Sequence, residues 1–154
     1  MEKSSEKFKR ITNELNLQLD ITTFEDSTKT SQQAADKLNI QIAQIGKSIV
    51  FKTQSGKFVI VIASGANRVN EQKVETEIQE KLAKTNGEEI KEYIGFPIGG
   101  IPPFGHDNKI ILLMDENLLK FDKIYCAAGT PNSVFPISPK KLSEITNTKV
   151  LDII

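Results

Sequence analysis

Few side chains in this 154-residue chain could carry out chemistry directly: it holds one histidine, His106, and one cysteine, Cys126. A Ser-His-Asp arrangement would have to use His106 as its base, and no Gly-x-Ser-x-Gly elbow presents a serine to it. Cys126 lies in the apolar run Tyr125-Cys126-Ala127-Ala128, the setting of a buried inert thiol rather than of a nucleophile. A single cysteine excludes an internal disulfide and a multi-cysteine zinc site. No carboxylate stands at helical ligand spacing from His106, so neither metal nor cofactor is expected. Gly46-Lys47-Ser48 has the form of the end of a phosphate-binding loop. Such a loop also needs a glycine five residues before Gly46, where this chain has Gln41, and it should follow a strand and open a helix. Here the segment follows a helical pattern and precedes a strand, so nucleotide binding through it is rejected.

The densest signal is Gly95-Phe96-Pro97-Ile98-Gly99-Gly100-Ile101-Pro102-Pro103-Phe104-Gly105-His106. Glycines permit positive φ and close approach of the backbone to a ligand, while prolines freeze the intervening turns. Such a loop is either a rigid structural turn or a preorganised set of N–H donors for a carbonyl or oxyanion.

Charge is balanced overall and uneven along the chain. Lys plus Arg and Asp plus Glu each number 20, which speaks against a broad electrostatic nucleic-acid binder, DNA included. From Lys37 to Asn70 there are five cations and no carboxylate; from Glu71 to Glu92 there are seven carboxylates against four lysines. Two stretches, Tyr93–His106 and Ile124–Pro139, carry none of either, so a site with one positive wall competes with chance patterning. No apolar run approaches the roughly 18 residues of a membrane span. The N-terminal MEKSSEKFKR lacks an apolar signal core, so a cytoplasmic, membrane-free protein is expected.

These residues must be positioned by a mixed set of elements. Phe8, Ile11 and Leu15 share one face of an N-terminal helix, part of a helical lead-in over 1–28. Thr30 and Gln33 form a capping-box pair that opens a second helix. Ile49–Phe51 and Phe58–Ile62, with Gln54-Ser55-Gly56 between them, read as a hairpin. Asn70 is a helix N-cap, and Val74, Ile78 and Leu82 extend that helix to Asn86-Gly87. Strands are expected at 88–94, 109–114, 123–128, 134–137 and 150–154, and Ser138-Pro139 starts a last helix. The reading is one α+β domain over 1–154.

In their order along the chain these residues resemble the YbaK/prolyl-tRNA synthetase-associated domain family. The resemblance spans roughly Thr30 to Ile145. Its landmarks are Thr30-x-x-x-Ala34-Ala35, Gln44-Ile45-Gly46-Lys47-Ser48-Ile49-Val50-Phe51, Gly65-x-x-Arg68-Val69-Asn70, the Gly95-to-His106 loop, Met114-Asp115 and Ala127-Ala128-Gly129-Thr130-Pro131. Two positions depart from the pattern: Gly46 where alanine is common, and Ile94 where threonine is frequent.

The resemblance implies a mixed, mostly antiparallel and partly barrel-like sheet flanked by helices. It also implies hydrolysis of the ester of mischarged tRNA bound by its acceptor 3′ end. On that basis Lys47, Gly99, Gly100 and Pro103 are assigned to catalysis. Phe51, Gly65, Arg68, Ile101, Phe104, His106, Gly129, Thr130 and Ser133 are assigned to substrate binding. Several keep a structural alternative: Phe104 as core, His106 bonded to its own loop, Thr130 and Ser133 as loop caps. The expected substrate is tRNA-Pro or a similar tRNA carrying Ala, Cys, Ser or Thr, with an aminoacyl-tRNA synthetase as a further partner. A non-catalytic module that binds aminoacyl-tRNA or a synthetase is the alternative, and a simple esterase a third reading.

Overall fold

The computed structural model describes residues 2–25 and 30–154. Helices α1 (Ser4–Glu14), α2 (Ser31–Leu38), α3 (Glu71–Ile78), α4 (Gly87–Ile94) and α5 (Pro139–Ile145) surround one mixed sheet. Its strands are β1 (Thr22–Thr23), β2 (Ile45–Thr53), β3 (Phe58–Ser64), β4 (Leu82–Ala83), β5 (Ile111–Asp115), β6 (Ile124–Ala127), β7 (Ser133–Ile137) and β8 (Lys149–Leu151). They run in the order β1-β7-β6-β2-β3-β5-β8, with β4 beside the far end of β2. Pairings β2–β6, β3–β5 and β5–β8 are parallel; the others are antiparallel. The sheet is open, with β1 and β8 at its ends, so the barrel-like curvature does not close.

β3 carries the core because both of its faces are covered. Phe58, Ile60 and Ile62 point into the larger cluster with Phe8, Ile90, Ile94, Phe96, Phe104 and Phe135. Val59, Val61 and Ala63 point the other way, against Val74 of α3 and Ile153. The period-2 alternation of a strand thus serves two cores at once, which explains why its sequence is continuously apolar.

The capping residues act as their types dictate. Thr30 accepts from Gln33 N–H, and Gln33 accepts in return from Thr30 N–H. Asn70 accepts from Gln72 and Lys73, and Ser138 from Lys141. Three expectations change. The lead-in is helical only over Ser4–Glu14, since Asn16 turns left-handed (φ 54°) and Thr22–Thr23 form β1 against β7; residues 26–28 of that lead-in lie outside the described residues. The helix from Asn70 ends at Ile78, where Gln79 turns left-handed (φ 58°), and Leu82 joins β4 to pair with Thr53. Residues 87–94 form a helix rather than a strand, because Asn86 caps it by accepting from Glu89 N–H. Ile90 and Ile94, one turn apart, then face the core.

Candidate functional site

The chemistry-bearing segments meet where β6 leaves β2. Their parallel register consists of Ile45↔Tyr125 and Gly46↔Cys126 and goes no further. A Cβ on Gly46 would stand 3.0 Å from Cys126 Sγ, so the glycine lets the strands approach before they part. Gly65 N–H donates to Ile45 C=O (2.7 Å) and Thr53 N–H to Lys57 C=O (2.8 Å), which directs the odd-numbered peptides of β2 toward β3. The even-numbered peptides therefore face β6. Ala128 N–H donates to Ser133 C=O (2.9 Å), so by the same alternation Ala127 faces β2. The next rung would join Ser48 N–H to Ala127 C=O, and the end of the register leaves it unmade. Among the described residues a main-chain donor and acceptor thus stand unpaired on the two sides of a fork.

A cleft of about 220 Å³ fills this fork; Lys47, Ser48, Ile98, Gly99, Ile101, Cys126, Ala127, Pro131 and Ser133 are among the residues that line it. Lys47 has no ion-pair or hydrogen-bond partner among the described residues. Partial burial lowers its pKa from the usual lysine value, and the charge of Asp115 opposes that shift. Asp115 itself is fully buried. Its two oxygens accept from Ser64 N–H (3.1 Å), Asn67 Nδ2 (2.8 Å), Asn117 N–H (2.9 Å) and Asn117 Nδ2 (3.0 Å), so it anchors the ends of β3 and β5. The Ser48 Oγ is buried in the cleft wall without a partner among the described residues.

The glycine–proline loop closes one side. Gly100 N–H donates to Pro97 C=O (2.9 Å) across a turn in which Gly99 has φ +87°, the type II requirement for glycine at the third position. Gly100 packs against Thr130: a Cβ there would meet Thr130 Cα at 2.8 Å. Thr130 donates to Asn132 Oδ1 (2.9 Å) and lies 2.5 Å from Ser133 Oγ, so its hydroxyl caps its own loop while Ser133 borders the cleft.

Other residues named from the sequence fall outside the cleft lining. Pro103 is buried behind the turn, and Phe104 is core, stacked on Phe8 with ring centroids 5.7 Å apart. Phe51 packs with the second core, four residues along the same face of β2 as Lys47, and does not border the cleft. Gly65 lies behind the cleft, where a Cβ would meet Ile42 C=O at 2.6 Å, and Arg68 is exposed. Gly129 (φ +96°) backs onto α1. His106 Nε2 stands 2.6 Å from Pro102 C=O, an acceptor only, so this nitrogen carries the proton. Burial lowers the His106 pKa, its Nδ1 is buried without a partner among the described residues, and the residue borders a different cavity. Ser48 and Ala127, whose main chains define the fork, lie inside landmark segments but carry no role that residue type announces, since strand divergence leaves no mark on residue type.

The positive wall suggested by charge patterning reduces to Lys47. Lys37 lies over the Phe24 ring (5.4 Å), Lys52 pairs with Glu89 (2.8 Å), and neither borders the cleft. Burial pushes the Cys126 thiol up to about 12, which removes it as a nucleophile at neutral pH. Among the described residues no three His, Cys, Asp or Glu side chains cluster closely enough to hold a metal ion, and no helix is long and apolar enough to cross a membrane.

Among the described residues the cleft brings together one lysine and a glycine–proline turn, with no His, Asp or Glu in its lining, and similarity to known proteins decides the family. Residues 25–145 match the aminoacyl-tRNA editing domain. The chain belongs to that family. A solved structure described as that of a candidate trans-editing enzyme for prolyl tRNA synthetase is 30% identical, with a TM-score of 0.90 over 99% of this chain and 98% of the other. The uncharacterized protein YwhH of Bacillus subtilis (strain 168) is 32% identical over 137 residues, covering 88% of this chain and 86% of that protein. Proline–tRNA ligase of Thermosipho africanus (strain TCF52B) is 34% identical over 104 residues, 67% of this chain but 18% of the ligase. The editing domain is therefore similar both to a separate protein and to a segment of a much larger synthetase.

Proposed function

We propose that this editing domain acts in trans as an aminoacyl-tRNA deacylase, hydrolysing the ester of tRNA-Pro, or a similar tRNA, mischarged with a small amino acid. The observation that carries this reading is the convergence of the unpaired Lys47 with the open Ser48–Ala127 rung on one cleft. An aminoacyl ester is already activated, so hydrolysis needs a positioned water and stabilisation of the oxygen that gains charge. A preorganised N–H donor is worth about 2.7–4 kcal/mol to such an oxyanion, and Ser48 N–H is available for that task. Ala127 C=O accepts from the substrate α-ammonium. Lys47 acts as a point charge on the terminal phosphate or the ester oxygen.

Cleft size supports a small side chain. About 220 Å³ lies below the roughly 300–1,000 Å³ of ordinary small-molecule sites. Alanine, serine, cysteine or threonine would fit within it, leaving the ribose and adenine at the mouth. With His106 neutral and elsewhere, and with no carboxylate among the described residues of the lining, the ribose hydroxyl beside the ester orients the attacking water. The reaction breaks the ester C–O bond, adds water at the carbonyl and releases the free amino acid and the 3′ end of the tRNA.

The experiment is a panel of tRNA-Pro charged with Ala, Ser, Cys or Thr, incubated with wild type and with Lys47→Ala. Release of at least one amino acid by wild type, strongly reduced in the variant, is expected. No release above buffer for every ester would overturn the proposal and leave the aminoacyl-tRNA-binding module. Equal release from simple esters lacking adenosine would favour the general esterase.

A further inference from the structure

Helix α1 lies outside the residues matched by the family, yet it packs beneath both loops of the cleft. Three glycines with positive φ face it. A Cβ on Gly95 (φ +85°) would collide with Lys7 Nζ, and one on Gly105 (φ +82°) with Ile11. One on Gly129 (φ +96°) would meet Ser4 C=O at 2.8 Å and Phe8 Cβ at 2.9 Å. Gly95 and Gly105 bracket the turn that presents Gly99 and Ile101; Gly129 begins the second loop, which presents Pro131 and Ser133. Positive φ is used at all three positions, and at Gly105 and Gly129 the missing Cβ as well, since a side chain there would strike Ile11 or the backbone of Ser4; at Gly95 the atom met is the movable end of Lys7.

The contacts also have direction. Lys7 Nζ lies 3.5 Å from Gly95 C=O and 4.6 Å from the centroid of the Phe96 ring, so it holds the start of the first loop. Phe8 packs between Phe104 of that loop (5.7 Å) and Phe135 of β7 (5.3 Å). The loops themselves touch backbone to backbone at Gly100 and Thr130. One helix face therefore fixes the start and end of the first loop and the root of the second, while the cleft opens on their other side.

We infer that α1 is a positioning element of the site: Lys7, Phe8 and Ile11 set the separation of the two loops and thereby the placement of the cleft's groups on the reacting ester. None of the three lines the cleft, so they act through Gly95, Gly105 and Gly129. The inference that α1 orders the loops is independent of the reaction; its kinetic consequence rests on the deacylase reading.

The test uses the full chain with Lys7→Met, Ile11→Val and, as a control on the exposed side of the same helix, Lys9→Met. Hydrogen exchange followed by peptide mass spectrometry reads the loops, and deacylation of mischarged tRNA-Pro reads the chemistry. In Lys7→Met and Ile11→Val, exchange in peptides spanning 98–103 and 129–134 should rise at least fivefold, with β3 unchanged. Their kcat should fall at least fivefold with KM within twofold, and Lys9→Met should match wild type in both. Unchanged loop exchange, a uniform rise that includes β3, or an equal effect from Lys9→Met would overturn the inference. Faster loop exchange with unaltered kcat would overturn its catalytic half. A wild type that cleaves no ester would sink the deacylase reading alone, since the exchange comparison still tests the role of α1.

Discussion

Gly100 and Thr130 meet through their backbones, with no room between them for a side chain: a Cβ on Gly100 would lie 2.8 Å from Thr130 Cα and 2.9 Å from its carbonyl carbon. Neighbouring Gly99 differs, because its Cβ would stand 3.7 Å from Pro131 Cβ, an ordinary contact, while its φ of +87° disfavours any L residue. Alanine at the two positions should therefore fail differently. Gly99→Ala should cost about 1–2 kcal/mol from the left-handed backbone, seen as a lower Tm with KM little changed. Gly100→Ala must separate the loops, so kcat should drop by more than in Gly99→Ala at comparable Tm. Thermal melts with steady-state deacylation separate the two, and equal kcat losses would contradict the packing argument.

A chain with equal numbers of acidic and basic residues can still hold nucleic acid if it grips only an end. Lys47 is the one Lys or Arg among the described residues that border the cleft, so few phosphates should be neutralised. Each phosphate contact contributes roughly 0.7–0.9 to the slope of log K against log salt. The slope for mischarged tRNA should thus be shallow, about one to two, and Lys47→Ala should lower it by about one. Titrations of KM between low and moderate salt measure it; a slope of six or more would reveal a broad tRNA-binding surface elsewhere.

What sequence could disclose here depended on whether the cause was local. Thr30 with Gln33, Asn70 and Ser138-Pro139 announced helix starts because capping is a matter of a few adjacent atoms. The β2–β3 hairpin was legible for the same reason. Residues 88–94 read as a strand from their types, since Ile90, Tyr93 and Ile94 are β-compatible, yet they form a helix because Asn86, which also fits the end of a preceding helix, acts as an N-cap. Lys47, Gly99, Ile101 and Ser133 converge on one cleft, but the fork that makes the cleft depends on where two distant strands stop pairing. His106, inside the densest motif, proved to be turned onto its own loop through Pro102; a motif marks a backbone pattern and does not say which way each side chain faces.

The open rung makes a prediction about the substrate. If Ala127 C=O accepts from the α-ammonium, acetylating the amino group of alanyl-tRNA-Pro removes the charge and reshapes the donor. A hydrogen bond to a charged group is worth about 1.5–3 kcal/mol, so kcat/KM should fall between roughly tenfold and a hundredfold. This would also spare peptidyl-tRNA from cleavage. Hydrolysis of acetylated and free substrates at equal rates would place the amino group elsewhere.

Activity should carry the signature of a partly buried lysine. Burial lowers the Lys47 pKa below its usual 10.5, with Asp115 restraining the shift. Lys47 therefore loses its charge, and the site its cation, at lower pH than an exposed lysine would. After subtraction of spontaneous ester hydrolysis, log kcat/KM should fall on an alkaline limb beginning below 10.5. A guanidinium stays protonated throughout this range, so Lys47→Arg should retain part of the activity and lose that limb. A limb of unchanged position in Lys47→Arg would assign it to the substrate.

Stability should report His106 instead. Its folded pKa is depressed from 6.5, first by burial, with the Pro102 hydrogen bond opposing and Lys7 adding to the depression. The native state thus binds fewer protons at this site than the unfolded chain just below pH 6.5. Stability is fully present above the unfolded value and falls as pH drops through the window toward the folded one. Most carboxylates titrate lower, which leaves this histidine to dominate the slope between pH 7 and 5.5. His106→Leu gives up the bond to Pro102 and should melt lower at pH 7, but its Tm should change less than that of wild type across the same interval. A variant with the wild-type slope would mean that Nδ1 finds a partner when it gains its proton.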